Sequence, residues 1–213
     1  TGGSHHSVVV EFNDFVTVIE APLNEDRSLA VIGEVTRLLP SKPIRYLVNT
    51  HHHFDHSGGL RTYLSQGATI VTHQGNRDFY QEVIFHPGLR SLSPDRLAMF
   101  YPMFATSRRP APIETINQKY VVSDGVRVME IYPIQGLSHA QNMVITYLPK
   151  EKILVNADLY SPPPPGAPAM SNPDPRMITL AQNIDRLGLE VDMHVPIHGS
   201  IESHDVFLEL VDR

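Results

Sequence analysis

The chain has 213 residues, 41% of them hydrophobic, with 17 basic against 23 acidic side chains and a formal net charge of −6. That length allows one sizeable core, read as a single domain over residues 1–213, and no apolar run approaches the ~20 residues that span a membrane. The charges are dispersed, so there is no basic track for nucleic acid, and the lack of cysteine excludes disulfides, thiolate metal ligands and a cysteine nucleophile. A cysteine-free chain suits the periplasm and the cytosol alike, with a periplasmic or secreted location slightly favoured.

In chain order, Val8–Phe12 and Phe15–Glu20 around Asn13-Asp14 read as a β-hairpin. His5 and His6 stand just before it, near enough to reach a site mouth, although a His pair near a terminus is more often solvated. Ser28 to Leu39 carries Ile32, Val35 and Leu39 at helical spacing and stops at Pro40. Arg45–Asn49 reads as a buried strand, Leu60–Ser65 as a short helix, Ala68–Thr72 as a strand and Asn76–Ile84 as a helix. From His86 to Pro112 prolines interrupt any regular element. Strands follow at Tyr120–Val122, Val126–Tyr132, Met143–Leu148 and Ile153–Asn156. Asp174–Leu187 reads as a helix, His194–Ile197 as a strand, and Ser203–Val211 as a closing helix capped by Ser203. Periodicity alone supports a mixed α/β chain without repeats.

Chemistry concentrates in His51-His52-His53-Phe54-Asp55-His56, an H-x-H-x-D-H pattern between a strand and Ser57-Gly58-Gly59. In extended backbone, positions i, i+2 and i+4 share one side, so His51, His53 and Asp55 converge while His52 and Phe54 turn away. His56 then requires a change of direction, which the glycines permit. A polar His-rich loop or a piece of purification tag is the bland alternative, but neither places Phe and Asp between a strand and a helix.

This pattern resembles the signature of the metallo-β-lactamase-fold hydrolases, and three further segments match that family in order. Gly136-Leu137-Ser138-His139-Ala140 supplies a loop histidine, Asn156-Ala157-Asp158 an aspartate after a strand, and Val195-Pro196-Ile197-His198-Gly199 a late histidine. The resemblance implies a four-layer α/β/β/α sandwich. It also implies one or more strands before the hairpin, hence a chain shortened at its N-terminus. It assigns His51, His53 and His139 to one metal, Asp55, His56 and His198 to a second, and Asp158 to both. Taken singly, Asp158 would read as a turn residue, and His139 and His198 as surface or core histidines. Imidazole and carboxylate donors suit two Zn²⁺, with Fe or Mn also acceptable.

The implied reaction is hydrolysis of a small ester, lactone, thioester or amide by a metal-bridging hydroxide, with Asp55 as catalytic orienter and a β-lactam among the candidate substrates. Asp158 argues against a dedicated β-lactamase, because the cysteine-free β-lactamase subclass usually lacks that bridge; with His56 it looks instead like the glyoxalase II, lactonase and phosphodiesterase branches. Two readings of other classes remain: an iron-binding, non-hydrolytic member of the sulfur dioxygenase or oxygen reductase type, and a metal-binding accessory protein without turnover. Tyr160, Met103 and Phe104, on the two proline-rich segments Met99–Pro112 and Tyr160–Pro168, are candidate substrate contacts; ordinary surface loops are an equal reading. Asn49 and Thr50 are placed to orient the ligand loop, His73 reads as a structural strand-end residue, and His86, His194 and His204 match no ligand position. The partner is a small molecule, and the oligomeric state stays open.

Overall fold

Parallel strands open at their carboxyl ends decide where this chain can place chemistry. The computed structural model describes residues 4–86, 94–100, 111–136, 139–164, 166 and 172–211. They divide into two compact units, one built from residues 7–116 and the other from residues 4–6 and 117–211.

The first unit holds a five-stranded sheet in the order β1-β2-β3-β4-β5, comprising Val8–Glu11, Val16–Ile19, Ile44–Val48, Thr69–His73 and Ile113–Ile116. The expected hairpin forms, with Val10 opposite Thr17, and the remaining pairings are parallel. Helix α1, Glu25–Leu38, starts before the expected Ser28 because the Asn24 side chain accepts the Arg27 N–H and Glu25 and Asp26 favour the positive helix start. Val31 and Val35 of α1, Leu60, Tyr63 and Leu64 of a short helix α3 (Leu60–Ser65), and Val16, Val18, Leu47 and Ile70 of the sheet form one apolar core. Strand β5 was not expected: its Ile-Glu-Thr-Ile stretch is too short to read by period, and the open edge of β4 recruits it.

The helix expected over Asn76–Ile84 is irregular: a 3₁₀ turn at Gln74–Asn76, an α turn (α4) at Arg77–Phe79 and a π turn at Tyr80–Ile84. It begins two residues early because His73 Nδ1 accepts the Gly75 N–H at 3.0 Å, which gives His73 the structural role expected of it. A further helix, α5, covers Arg96–Phe100.

The second unit holds a six-stranded sheet in the order β11-β10-β9-β8-β7-β6. In chain order β6–β11 are Tyr120–Ser123, Val128–Pro133, Val144–Leu148, Ile153–Asn156, Met193–Pro196 and Glu202–Ser203. Only β9 and β10 pair in parallel; the rest are antiparallel. Helix α6, Pro175–Leu187, is capped by Asp174, whose carboxyl the Arg176 guanidinium holds below the ordinary carboxylate range. Pro175 at its first position costs no hydrogen bond, and Gly188 in the left-handed region ends it. Leu180, Ala181 and Ile184 of α6 pack with Ile145, Leu154 and Phe207, the last from helix α7 (His204–Leu210), which Ser203 caps as expected. Among the described residues no helix is long and apolar enough to cross a membrane.

Candidate metal centre

In the first unit the site grows from the ends of two neighbouring parallel strands. Ile19 of β2 lies opposite Val48 of β3, so Glu20 and the run Asn49–His53 leave the sheet side by side. The extended backbone expected through Asp55 does not persist. Phe54–Ser57 closes into a short helix, α2, because the Ser57 and His56 N–H groups bond back to the His53 carbonyl. Asp55 and His56 therefore reach the site from a helical turn, which replaces the i, i+2, i+4 argument for Asp55. The rings of His51 and His53 are 4.6 Å apart between centroids, and those of His51 and His56 are 4.4 Å apart. His56 Nε2 stands 3.4 Å from Asp55 Oδ2. His52 lies beside Phe79, with ring centroids 5.9 Å apart.

Gly58 and Gly59 serve space, not direction. Gly58 has ordinary right-handed helical dihedrals, but a Cβ there would stand 2.0 Å from the Leu23 carbonyl oxygen, and one on Gly59 would stand 2.0 Å from Ser28 Oγ. Gly58→Ala should therefore force α2 off the Leu23 segment and destabilise the fold by about 2–3 kcal/mol. Urea unfolding of the variant measures this, and a midpoint equal to that of the parent would refute the close approach.

Several buried groups orient these imidazoles. Glu20, fully buried and with a positive φ of 75°, accepts the Thr50 N–H on Oε1 at 2.6 Å and the His56 Nδ1–H on Oε2 at 2.8 Å. Thr50 Oγ1 is 3.0 Å from His51 Nδ1. Asn49 donates to the His56 carbonyl at 3.0 Å and accepts the Tyr80 hydroxyl. Fixing one ring nitrogen fixes the tautomer and aims the other at a metal. Sequence reasoning anticipated Asn49 and Thr50 and missed Glu20; the available signal was an acid ending a strand that is otherwise apolar.

In the second unit the parallel pairing does the same work. Asn156 of β9 lies opposite Pro196 of β10, so Asp158 and His198, each two residues further on, emerge together. Asp158 adopts a left-handed φ of 61°, in a turn where the Asn156 side chain accepts the Tyr160 N–H at 2.9 Å. Non-glycine residues held in that region mark positions that the surrounding structure over-determines. The Asp158 carboxylate lies between two imidazoles: Oδ2 is 2.8 Å from His139 Nε2 and Oδ1 is 2.9 Å from His198 Nε2. His139 rides on the connection between β7 and β8, whose start is clamped by Asn183 of α6, fully bonded to the Gln135 backbone at 2.9 and 2.7 Å. Gly199, with φ 94° and Pro162 3.1 Å from where its Cβ would lie, ends the His198 loop in a conformation that suits glycine.

Other expected contacts fall elsewhere. Tyr160, read as a pocket wall, is 1% exposed and packs on His194 and Phe207 in the core of the second unit. Burial pushes its hydroxyl up to about 12. The two positions after Asp158 turn inward because Leu159 and Tyr160 both join that core. Met103 and Phe104 lie outside the described residues, as do residues 101–110 of the first proline-rich segment and 165, 167 and 168 of the second. His194, which matches no expected ligand position, is fully buried, and His204 is half-buried beside it, with His194 Nε2 2.9 Å from His204 Nδ1.

All seven expected ligands, and His5 besides, belong to groups of His and Asp able to hold a metal ion. Imidazole nitrogen and carboxylate oxygen without thiolate fit Zn²⁺ and accept Fe²⁺ or Mn²⁺. Comparison with known proteins agrees. A family model described as the metallo-beta-lactamase superfamily matches residues 1–193. A search of curated protein sequences returned no match. A metallo-beta-lactamase from Pontibacter korlensis is 18% identical with a TM-score of 0.70, over 98% of this chain and 86% of that one. The mono-zinc form of the metallo-beta-lactamase FIM-1 from Pseudomonas aeruginosa is 20% identical with a TM-score of 0.62, over 97% and 80%. A metallo-beta-lactamase from Hirschia baltica is 15% identical with a TM-score of 0.63, over 95% and 82%. Likeness at these identities establishes the fold class, an α/β sandwich, and leaves the reaction to the chemistry of the site. With a family model matching most of its length, the chain belongs to the metallo-β-lactamase superfamily.

Proposed function

We propose that the protein is a dinuclear zinc hydrolase of a small ester, lactone, thioester or amide. In this reading His51, His53 and His139 hold one ion, Asp55, His56 and His198 the other, and Asp158 both. The observation that carries it is the Asp158 carboxylate, each of whose oxygens faces a different imidazole at 2.8 and 2.9 Å. A carboxylate held that way is suited to serve two cations at once, and its left-handed backbone fixes where both oxygens point. Bound divalent ions would supply Lewis acidity and a water acidified from ~15.7 to about 7.

The chain's own residues supply the geometry. Glu20 and Thr50 keep the Nδ1 atoms of His56 and His51 occupied, so Nε2 is the ligating nitrogen of each. Asp55 presents a carboxylate 37% exposed from the first turn of α2, where it can accept a proton from the attacking water and hold that water in line. Absence of a serine or cysteine nucleophile in the motif is consistent with direct attack by water. The dispersed negative charge favours small substrates over nucleic acid.

The test combines composition and turnover on one sample. Mass-spectrometric metal analysis of protein purified without chelator should give about two metals per chain, zinc predominating. The same sample is assayed against a panel of esters, lactones, thioesters and amides. Asp55→Ala should lower kcat by ~10² or more while leaving the fold intact, whereas His52→Ala, beside Phe79, should change little. A metal count near zero, or a folded Asp55→Ala protein with unchanged kcat, would refute the assignment. Predominant iron would instead point to the non-hydrolytic chemistry of the fold.

A further inference from the structure

Resting on that metal-centre reading, we infer that His5 is an eighth ligand, a further imidazole donor to the ion held by His198. The segment of residues 4–6 belongs to the second unit and runs along the end of β10. The His6 N–H donates to the Ile197 carbonyl at 2.8 Å, and His198 Nδ1–H donates to the Ser4 carbonyl at 3.0 Å. These two bonds place Ser4, His5 and the His198 loop in one fixed register. The His5 ring meets the His198 ring edge-on, with centroids 4.4 Å apart.

Ser4 acts on both rings. Its carbonyl takes the Nδ1–H of His198, and its hydroxyl oxygen lies 3.0 Å from His5 Nδ1. With the Ser4 hydroxyl as acceptor, His5 carries its proton on Nδ1 and its lone pair on Nε2, the same tautomer that the Ser4 carbonyl imposes on His198. This repeats the device seen in the first unit, where Thr50 and Glu20 occupy the Nδ1 atoms of His51 and His56. His5 thus shares with His51, His56 and His198, all expected ligands, an oxygen within hydrogen-bond reach of Nδ1; His6 has one too, the Pro196 carbonyl at 3.4 Å. What separates the two is burial and ring contact: His5 is only partly exposed and meets the His198 ring, whereas His6 is exposed. Zinc expands readily from four to five ligands, and Fe²⁺ or Mn²⁺ favours still more, so a fifth donor at this ion is chemically reasonable.

The experiment measures metal binding and not turnover. Parent and His5→Ala proteins are stripped with chelator, checked for equal melting, and titrated with Zn²⁺ against a chromophoric competitor; a parallel titration with Co²⁺ records the ligand-field spectrum. One of the two binding steps should weaken by ~10- to 100-fold in His5→Ala, with the Co²⁺ absorption of that step altered and the other step unchanged. Ser4→Ala, which keeps the carbonyl and loses the hydroxyl, should weaken the same step by less. If the parent binds two ions and His5→Ala matches it in both affinities and in spectrum, His5 is no ligand and the metal-centre reading stands. If the parent binds no ion, both inferences fall together.

Discussion

Replacing Glu20 with alanine should weaken metal binding by roughly 10- to 100-fold and destabilise the metal-free protein by about 2–4 kcal/mol. The carboxylate is fully buried and accepts two hydrogen bonds, from the Thr50 N–H and from His56 Nδ1–H. Its loss leaves two buried donors without their acceptor, each worth about 1–3 kcal/mol. It also frees the His56 ring to turn and to exchange tautomers, so that Nε2 no longer presents its lone pair in a fixed direction. Glu20→Gln keeps one oxygen and should fall between alanine and parent. Chelator competition and urea unfolding of the three proteins give both quantities. Parent-like zinc affinity in a folded Glu20→Ala protein would remove Glu20 from the support of the centre.

The second large effect is acid lability from a histidine that binds no metal in this reading. His194 is fully buried in the core of the second unit, beside His204, Tyr160 and Phe207. Burial, aided by the neighbouring His204, pushes its imidazole down to about 3 from an ordinary 6.5. The folded state therefore refuses a proton that the unfolded chain accepts. Stability is at its full value above the unfolded pKa of 6.5, falls as pH drops below it, and levels off only near the folded value of about 3. At roughly 1.4 kcal/mol per unit, the loss is about 2 kcal/mol by pH 5 and about 4 kcal/mol by pH 3. Burial also holds His204 below the ordinary histidine range, which adds to the trend in the same direction. The informative comparison is metal-free parent against metal-free His194→Phe, which keeps metal binding out of the measurement. The variant should lose about 2 kcal/mol less between pH 7 and pH 5; parallel stability curves would show that His194 carries no such penalty.

The candidate metal ligands could be picked from the sequence because metal chemistry restricts residue type so strongly. The run from His51 to His56 concentrates His and Asp at one strand end, and His139, Asp158 and His198 were picked by their order in the family resemblance. Most elements were legible as well, since Val16–Ile19, Ile153–Asn156 and α6 announce themselves by apolar runs, period or caps. Boundaries moved where a local hydrogen bond outweighed the pattern, as when Asn24 lengthened α1 and the His53 carbonyl folded Asp55 and His56 into α2.

Only the tertiary structure decided the rest. Parallel register put Glu20 beside Asn49 and Asp158 beside His198, residues far apart in sequence that share a sheet end. Whether a lone acid becomes a buried hydrogen-bond acceptor, or a tyrosine after a key aspartate faces core and not ligand, depends on which strand lies next to it. The same holds for Gly58, whose need for hydrogen in place of a methyl comes from the Leu23 carbonyl of another segment. Residue type thus determined which chemistry the chain can perform, and strand pairing determined which groups are held in place to support it.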